Sequence, residues 1–235
     1  MKSLYESILD DFDKVYGESD EKLIMDFISS NYNISKCDLT INKESNGFVV
    51  NVKGEISITN EDAECLTNGF SFGVIDGDFN LSWAYSIKNL QGGPKYVTGD
   101  FRCDSCEELK TLNGAPERVD GLFSCSDCTE LKSLKGAPKY VGHFNCAGCH
   151  GLTNLKGAPQ NVGNGFGCSH CTGLKNFEGC PSIIKGNFVC NHCGPKSLKG
   201  FPKEVQGDVI MRLQDKYTQE DITQVCDVKG EINVN

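Results

Sequence analysis

The stretch "FSCSDCTELKSLKGAPKYVG" (residues 123–142) is one unit of a repeat, and this repeat decides the fold. Its phenylalanine recurs in steps of 22, 22, 21, 22 and 22 residues, at Phe79, Phe101, Phe123, Phe144, Phe166 and Phe188. A constant period in this range is typical of a solenoid, in which each unit is one coil that buries its apolar face only against its neighbours. The sequence therefore predicts a solenoid of about 22-residue coils.

The order of residues within the unit predicts the shape of one coil. Phe-x-Cys alternates, so the ring and the first thiol lie on the same face of a short strand. Gly-Ala-Pro, at 114–116, 136–138 and 157–159, predicts a fixed corner, because glycine permits a positive φ and proline restricts the next step. A valine three or four residues before each phenylalanine closes the coil inward. Stacked coils of this kind form a parallel β-sheet face.

Both ends of the repeat region carry nearly the same string. "VKGEISITN" (52–60) precedes the repeats and "VKGEINVN" (228–235) follows them, each with G-E-I where a full unit has G-x-F. We interpret them as strands of degenerate first and last coils. The domain boundaries are therefore an N-terminal unit at 1–53 and a solenoid at 54–235.

The N-terminal unit has the pattern of an α/β cap. Apolar residues at helical spacing predict two helices, with Ser19 as the cap of the second. The first set is Leu4, Ile8, Phe12 and Val15, and the second is Leu23, Ile24, Phe27 and Ile28. Alternation around Asn46-Gly47 predicts a β-hairpin over 38–52. The fold class is thus α+β, with two helices and a hairpin that cover the open apolar end of the solenoid.

A C-x-x-C pair occupies the same place in five consecutive units: Cys103/Cys106, Cys125/Cys128, Cys146/Cys149, Cys168/Cys171 and Cys190/Cys193. Pairs at this spacing are typical of a four-thiolate zinc site. However, the spacing follows from the repeat itself, and five pairs cannot all combine two by two. The unit at Phe79 also has Leu81 and Ala84 at the two cysteine positions, which a core accepts and a metal site does not. Core packing is favoured, and zinc is the alternative.

Disulfides and redox chemistry are less favoured explanations of the fourteen cysteines. The N-terminus lacks the basic start and apolar run of a secretory signal, and no apolar run approaches a membrane span. These features predict a cytoplasmic protein, where thiols stay reduced. A thioredoxin-like centre needs its C-x-x-C at the start of a helix, whereas here the pair follows a strand.

The repeat resembles a known family. Phe101-x-Cys103-x-x-Cys106-x-x-Leu109 is similar to the L-x-L-x-x-(N/C)-x-L core of leucine-rich repeats. "F-x-x-C-x-x-L…P-x-x-V" resembles the bacterial BspA/Treponema type, and "LKGAPKYVGHFNC" resembles repeats of bacteriophage and gut-bacterial proteins. The resemblance covers about residues 54–234. It implies a leucine-rich-repeat-like solenoid and, if the gene is viral, a protein that acts in the host cytoplasm.

Outward residues of stacked strands form columns on the sheet face, and solenoids commonly bind partners there. The side chains in these columns are small, mixed and mostly uncharged, which suits a protein partner, although a merely solvated face is the alternative. Trp83 is either a contact anchor or a seal against the N-terminal unit. His170 and His192, one coil apart, either assist a metal or are ordinary polar residues. The candidate partner-binding residues are Trp83, Arg102, Asp104, Asp127, His143, Asn145, His170, Asn191 and His192.

Charge and motif content restrict the function. A net charge of −9 disfavours nucleic acid and anionic membranes as partners. We find no phosphate-binding loop, nucleophile elbow or H-E-x-x-H motif, so the sequence predicts no catalytic residue and no cofactor. We expect a non-enzymatic module that binds a protein, for example a phage factor that acts on a host protein. One alternative is a structural component of an assembly such as a virion, and another is a zinc-binding protein.

Overall fold

The computed structural model describes residues 20–59, 64–212 and 216–234. It is mostly strand and forms a β-solenoid of about eight turns with about 22 residues per coil. The described helices are α1 (Asp20–Asn31) and α2 (Gln219–Thr223). In chain order the strands are β1 (Tyr32–Asn33), β2 (Asp38–Glu44), β3 (Gly47–Lys53), β4 (Ile56–Ile58), β5 (Phe70–Asp76), β6 (Phe79–Asn80), β7 (Tyr96–Val97), β8 (Phe101–Arg102), β9 (Arg118–Ser124), β10 (Tyr140–Asn145), β11 (Asn161–Val162), β12 (Phe166–Gly167), β13 (Ile183–Ile184), β14 (Phe188–Val189), β15 (Glu204–Val205), β16 (Val209–Ile210), β17 (Asp227–Val228) and β18 (Ile232–Asn233).

The phenylalanine ladder is the parallel sheet that the repeat predicts. It runs in the order β4-β6-β8-β9-β10-β12-β14-β16-β18. Phe101 pairs with Phe79 on one side and Phe123 on the other, and every later step keeps this register. Ile56 pairs with Phe79 at one end, and Ile232 pairs with Val209 at the other. The prediction that the two G-E-I strings form strands of the end coils is therefore confirmed.

A second ladder of parallel strand pairs, the valine ladder, was not predicted. It links β3, β5, β7, β9, β10 and β11, and after a break it continues as β13-β15-β17. The valine that was expected to close each coil inward is buried, and it also belongs to a strand of this ladder. Val97, for example, pairs with Val119. Because β9 and β10 are long enough to span both ladders, each coil there has one bent strand rather than two short ones.

The core is a set of columns that run along the solenoid. Consecutive phenylalanine rings stack, with centroids 5.1 Å apart between Phe101 and Phe123 and 5.8 Å apart between Phe123 and Phe144. The thiols lie beside the rings: nine of the ten C-x-x-C cysteines are buried, and the tenth, Cys193, is half-buried. Leu81 and Ala84, at the cysteine positions of an outer coil, are buried in the same way. The core location predicted for these cysteines is confirmed.

The N-terminal unit continues the valine ladder. The predicted hairpin is present: β2 and β3 are antiparallel around the turn at Ser45 and Asn46. β3 then pairs in parallel with β5, and α1 buries Ile24, Met25 and Ile28 in the common core. The second predicted helix is thus observed, while the first predicted helix (Leu4 to Val15) and the Ser19 cap lie outside the described residues.

Candidate partner-binding face

The outward columns of the phenylalanine ladder hold the solenoid together as well as facing solvent. Asp78 Oδ1 accepts a hydrogen bond from the backbone N of Asp100 (2.7 Å), and Asp100 Oδ1 accepts one from the N of Leu122 (2.8 Å). Asn187 Oδ1 continues the series with the N of Asp208 (2.8 Å). Side chains in this column therefore serve as acceptors for the next coil, a structural role that the sequence did not reveal.

Two predicted binding residues belong to a polar network between coils. Asp104 Oδ1 accepts from the backbone N of Ser126 (2.8 Å) and from the hydroxyl of Ser124. Asn145 donates to Ser126 Oγ (2.8 Å). Ser124 lies in an outward column of the ladder, but these neighbours cover it and only 2% of its surface is exposed. Asp104 and Asn145 are consequently half-buried and held in place.

The series of backbone-accepting side chains is interrupted at Leu122, His143 and Gly165, and a depression occupies this interruption. We call it the glycine notch. It is a cavity of about 470 Å³ above Gly165 and Gly167, where other coils carry side chains. It is lined by Leu122, His143, Phe144, Asn145, Asn164, Gly165, Phe166, Gly167, Gly186, Asn187 and Val189. Of the nine predicted partner-binding residues, the notch brings together His143 and Asn145.

The notch has fixed walls and a neutral lining. Asn145 is held by Ser126 and by the N of Ala147 (3.1 Å), and Asn187 by the N of Asp208. Among the lining residues, His143 has the only ionisable side chain. A site of this kind can hold an uncharged group by contact with aliphatic side chains and by hydrogen bonds from amides. Sequence reasoning missed the contribution of Gly165 and Gly167, although their alignment with Leu122 and Ser124 was a visible signal.

A third column lies at the turn that follows each ladder strand. Trp83, Ser105, Asp127, His170 and His192 all have positive φ, between 53° and 71°, and Gly148 has the same conformation. Trp83 is 54% exposed, with its ring centroid 6.2 Å from that of Tyr85, so it projects from the surface. This exposure favours the contact-anchor interpretation of Trp83 over the seal.

The other predicted residues are spread along the solenoid. Arg102 forms an ion pair with Asp100 (2.7 Å), and Asn191 Oδ1 accepts from the backbone N of Arg212 (2.9 Å). Asp127 is exposed on the turn column, three coils from His192. The rings of His170 and His192 contact each other, with centroids 4.9 Å apart. Backbone hydrogen bonds join Trp83 N to Asp104 O (2.9 Å) and His170 N to Asn191 O (2.7 Å).

The thiols point into the core, where the pKa of most of them is raised. The exceptions are Cys128, whose pKa is lowered by contact with Cys103 and Cys106, and Cys171, whose pKa is lowered by contact with Cys146. Burial raises the pKa of Cys190, and contact with a neighbouring thiol together with burial raises the pKa of Cys103 and Cys125. A protonated, enclosed thiol is a poor nucleophile and a poor ligand. Within the described part of the chain, no group of three or more His, Cys, Asp or Glu side chains is arranged to hold a metal ion.

Comparisons with known proteins identify no relative: no family model, no curated protein and no solved structure matches this chain. Among the described residues, no helix is both long and apolar enough to cross a membrane.

Proposed function

We propose that this chain is a non-enzymatic interaction module that binds a protein partner through the outer face of the phenylalanine ladder, centred on the glycine notch. The observation that carries the proposal is the notch itself. It lies where the column of side chains that otherwise bind the next coil is interrupted at Leu122, His143 and Gly165, and Gly167 of the neighbouring column leaves further space beside it. Since this change gains the solenoid no hydrogen bond, the recess is best explained as a place for a group from another molecule.

The chemistry of the notch supports a protein partner. Its walls combine the aliphatic side chains of Leu122 and Val189 with asparagine amides, a mixture that accepts an apolar side chain and its neighbouring peptide groups. The described lining has no Lys or Arg to contact phosphates, and the chain carries a net charge of −9. Nucleic acid is therefore an unfavourable partner.

The proposal also covers the type of solenoid and the role of the N-terminal unit. The solenoid is of the leucine-rich-repeat-like kind, and the N-terminal unit acts as its cap, because a bare first coil would expose the apolar ends of its columns to water. The packing of α1 and the hairpin against the core supports the cap. The resemblance of the repeats to those of bacteriophage proteins favours a host protein as the partner, met in the host cytoplasm.

Filling the notch tests the proposal. In Gly167→Val the new Cβ would lie 3.0 Å from Asn145 Oδ1, and Val189 already occupies the equivalent place one coil later. Lys132→Ala, on an exposed lysine away from the ladder, is the matched control. Quantitative pull-downs should recover a partner with the wild type and with Lys132→Ala but lose it with Gly167→Val. Equal recovery by all three proteins, with circular dichroism that shows an intact fold, would contradict the proposal.

A further inference from the structure

His170 and His192 form a pair of adjacent imidazoles on consecutive coils. Their ring centroids are 4.9 Å apart and their planes are inclined by 31°. Each residue has a left-handed backbone, with φ of 58° and 53°. Each backbone N–H donates to the following coil, that of His170 to Asn191 O (2.7 Å) and that of His192 to Arg212 O (3.0 Å). The main chain therefore fixes the spacing of the two side chains.

The nitrogens of both rings are available to a ligand. His170 and His192 are exposed, and among the described residues neither imidazole forms a hydrogen bond or an ion pair with another group. His150 is different, because its Nδ1 lies 3.2 Å from Thr172 Oγ1. The pair thus presents unused lone pairs side by side on a rigid scaffold.

We propose that His170 and His192 form a bidentate site for a divalent first-row transition ion such as nickel, copper or zinc. Neutral imidazole is a ligand that these ions favour. Two nitrogens at about 2.0–2.1 Å from one ion lie about 3 Å apart. The ring centroids are 4.9 Å apart, and rotation about the side-chain torsions of these exposed residues is required to turn both ring planes toward one ion. Water completes the coordination sphere on the exposed side.

The neighbouring thiols take no part in this site. Cys171 Sγ donates inward to Cys146 O (3.1 Å), and Cys193 Sγ donates inward to Cys168 O (2.9 Å). The proposed ligands are therefore not the C-x-x-C cysteines but His170 and His192, which directly precede Cys171 and Cys193. The site is separate from the glycine notch, so it stands or fails independently of the proposed function.

Calorimetric titration with nickel(II) tests the site, in tag-free protein that carries Cys65→Ser to remove the exposed thiol. The variants are His170→Gln and His192→Gln, and the matched controls are His143→Gln and His150→Gln. Each variant of the pair should lose affinity by about tenfold or more, because the second ligand acts at a high effective concentration. The double variant should bind no more tightly than either single one, and the controls should retain the parental affinity.

Two outcomes would overturn the proposal. Parental affinity in both His170→Gln and His192→Gln would show that the two rings do not share an ion. An equal loss in His143→Gln or His150→Gln would show dispersed binding by single histidines. Circular dichroism of every variant establishes that the solenoid is intact, so a loss of affinity reports on the ligands.

Discussion

The Sγ atom of Cys128 lies 3.1 Å from the carbonyl oxygen of Cys103, one coil earlier along the solenoid. The same contact recurs from Cys149 to Cys125 O and from Cys171 to Cys146 O, each at 3.1 Å. The second thiol of each pair thus donates to the backbone of the preceding coil. The sequence analysis assigned these cysteines to core packing, and the recurring contact adds a second role, because the column fills space and also satisfies buried carbonyls.

Serine substitutions distinguish the two cysteine columns. Cys128 has a carbonyl acceptor at 3.1 Å, whereas the nearest acceptor of Cys125, Asn145 O, is 3.7 Å from its sulfur. A serine hydroxyl at position 128 therefore keeps a carbonyl acceptor within hydrogen-bond distance. A serine hydroxyl at position 125 is buried with its carbonyl acceptor too far away for a good hydrogen bond. We expect Cys125→Ser to destabilise the protein by about 1 kcal/mol or more beyond Cys128→Ser, as measured by urea unfolding. Equal costs, or the reverse order, would show that the thiol contact does not matter.

The Gly-Ala-Pro corner predicts a severe effect of one added methyl group. Gly157 has a φ of +92°, and a Cβ there would lie 2.4 Å from the backbone N of Lys135 in the preceding coil. Gly157→Ala therefore combines backbone strain with a clash that no rotamer relieves, and we expect a loss of about 3 kcal/mol or more in unfolding free energy.

Gly69→Ala is the matched control for the corner. Gly69 also has a positive φ, +78°, but nothing lies within 4 Å of its added Cβ. Gly69→Ala should lower the unfolding free energy only by the cost of a positive φ for alanine, about 1–2 kcal/mol. If the two variants unfold at the same urea concentration, the close approach of coils at the corner is not what limits position 157.

The buried thiols make the protein sensitive to alkali. Contact with neighbouring thiols and burial raise the pKa of Cys103, Cys125, Cys146 and Cys168, and burial foremost raises that of Cys190. Above the ordinary thiol pKa of about 8.5, the unfolded chain releases these protons while the folded chain retains them. The stability that these five thiols contribute is therefore fully present below that pH and is lost as pH rises. Cys128 and Cys171, whose pKa is lowered by contact with neighbouring cysteines, do not add to this loss.

The expected size of this effect is large, because each thiol contributes about 1.4 kcal/mol for every pH unit above its unfolded pKa. We expect the unfolding free energy, measured under reducing conditions, to fall by several kcal/mol between about pH 7.5 and pH 9.5. A flat profile over this range would mean that the thiols ionise as easily in the folded protein as in the unfolded one.

The periodic features could be predicted because each repeats with a fixed chemical requirement. The phenylalanine ladder follows from Phe-x-Cys alternation, and the end strands at Ile56 and Ile232 follow from the G-E-I strings. The valine ladder could not be predicted in the same way. Most of its strands are only two residues long, as at Tyr96–Val97, and so show no alternation.

Features that break the repeat were harder to predict. α2 lies where other units carry the second leucine and the start of the Gly-Ala-Pro corner. Its signal was the capping box in which Thr218 and Asp221 bond each other's backbone N–H. The glycine notch depends on which side chains are missing at Gly165 and Gly167 and on what their neighbours bind. The register of His170 and His192 was visible in the sequence, but the separation of their rings depends on the left-handed turn that carries them.

Thiol accessibility tests most directly whether the cysteines form the interior of the coils. Cys65 is exposed, Cys180 and Cys193 are half-buried, and the other eleven of the fourteen cysteines are buried. In a brief reaction of native protein with an alkylating reagent, read by intact mass, we expect about one rapid modification at Cys65 and close to none in Cys65→Ser, with all fourteen modified after denaturation. Rapid modification of several C-x-x-C thiols in folded Cys65→Ser would contradict the account.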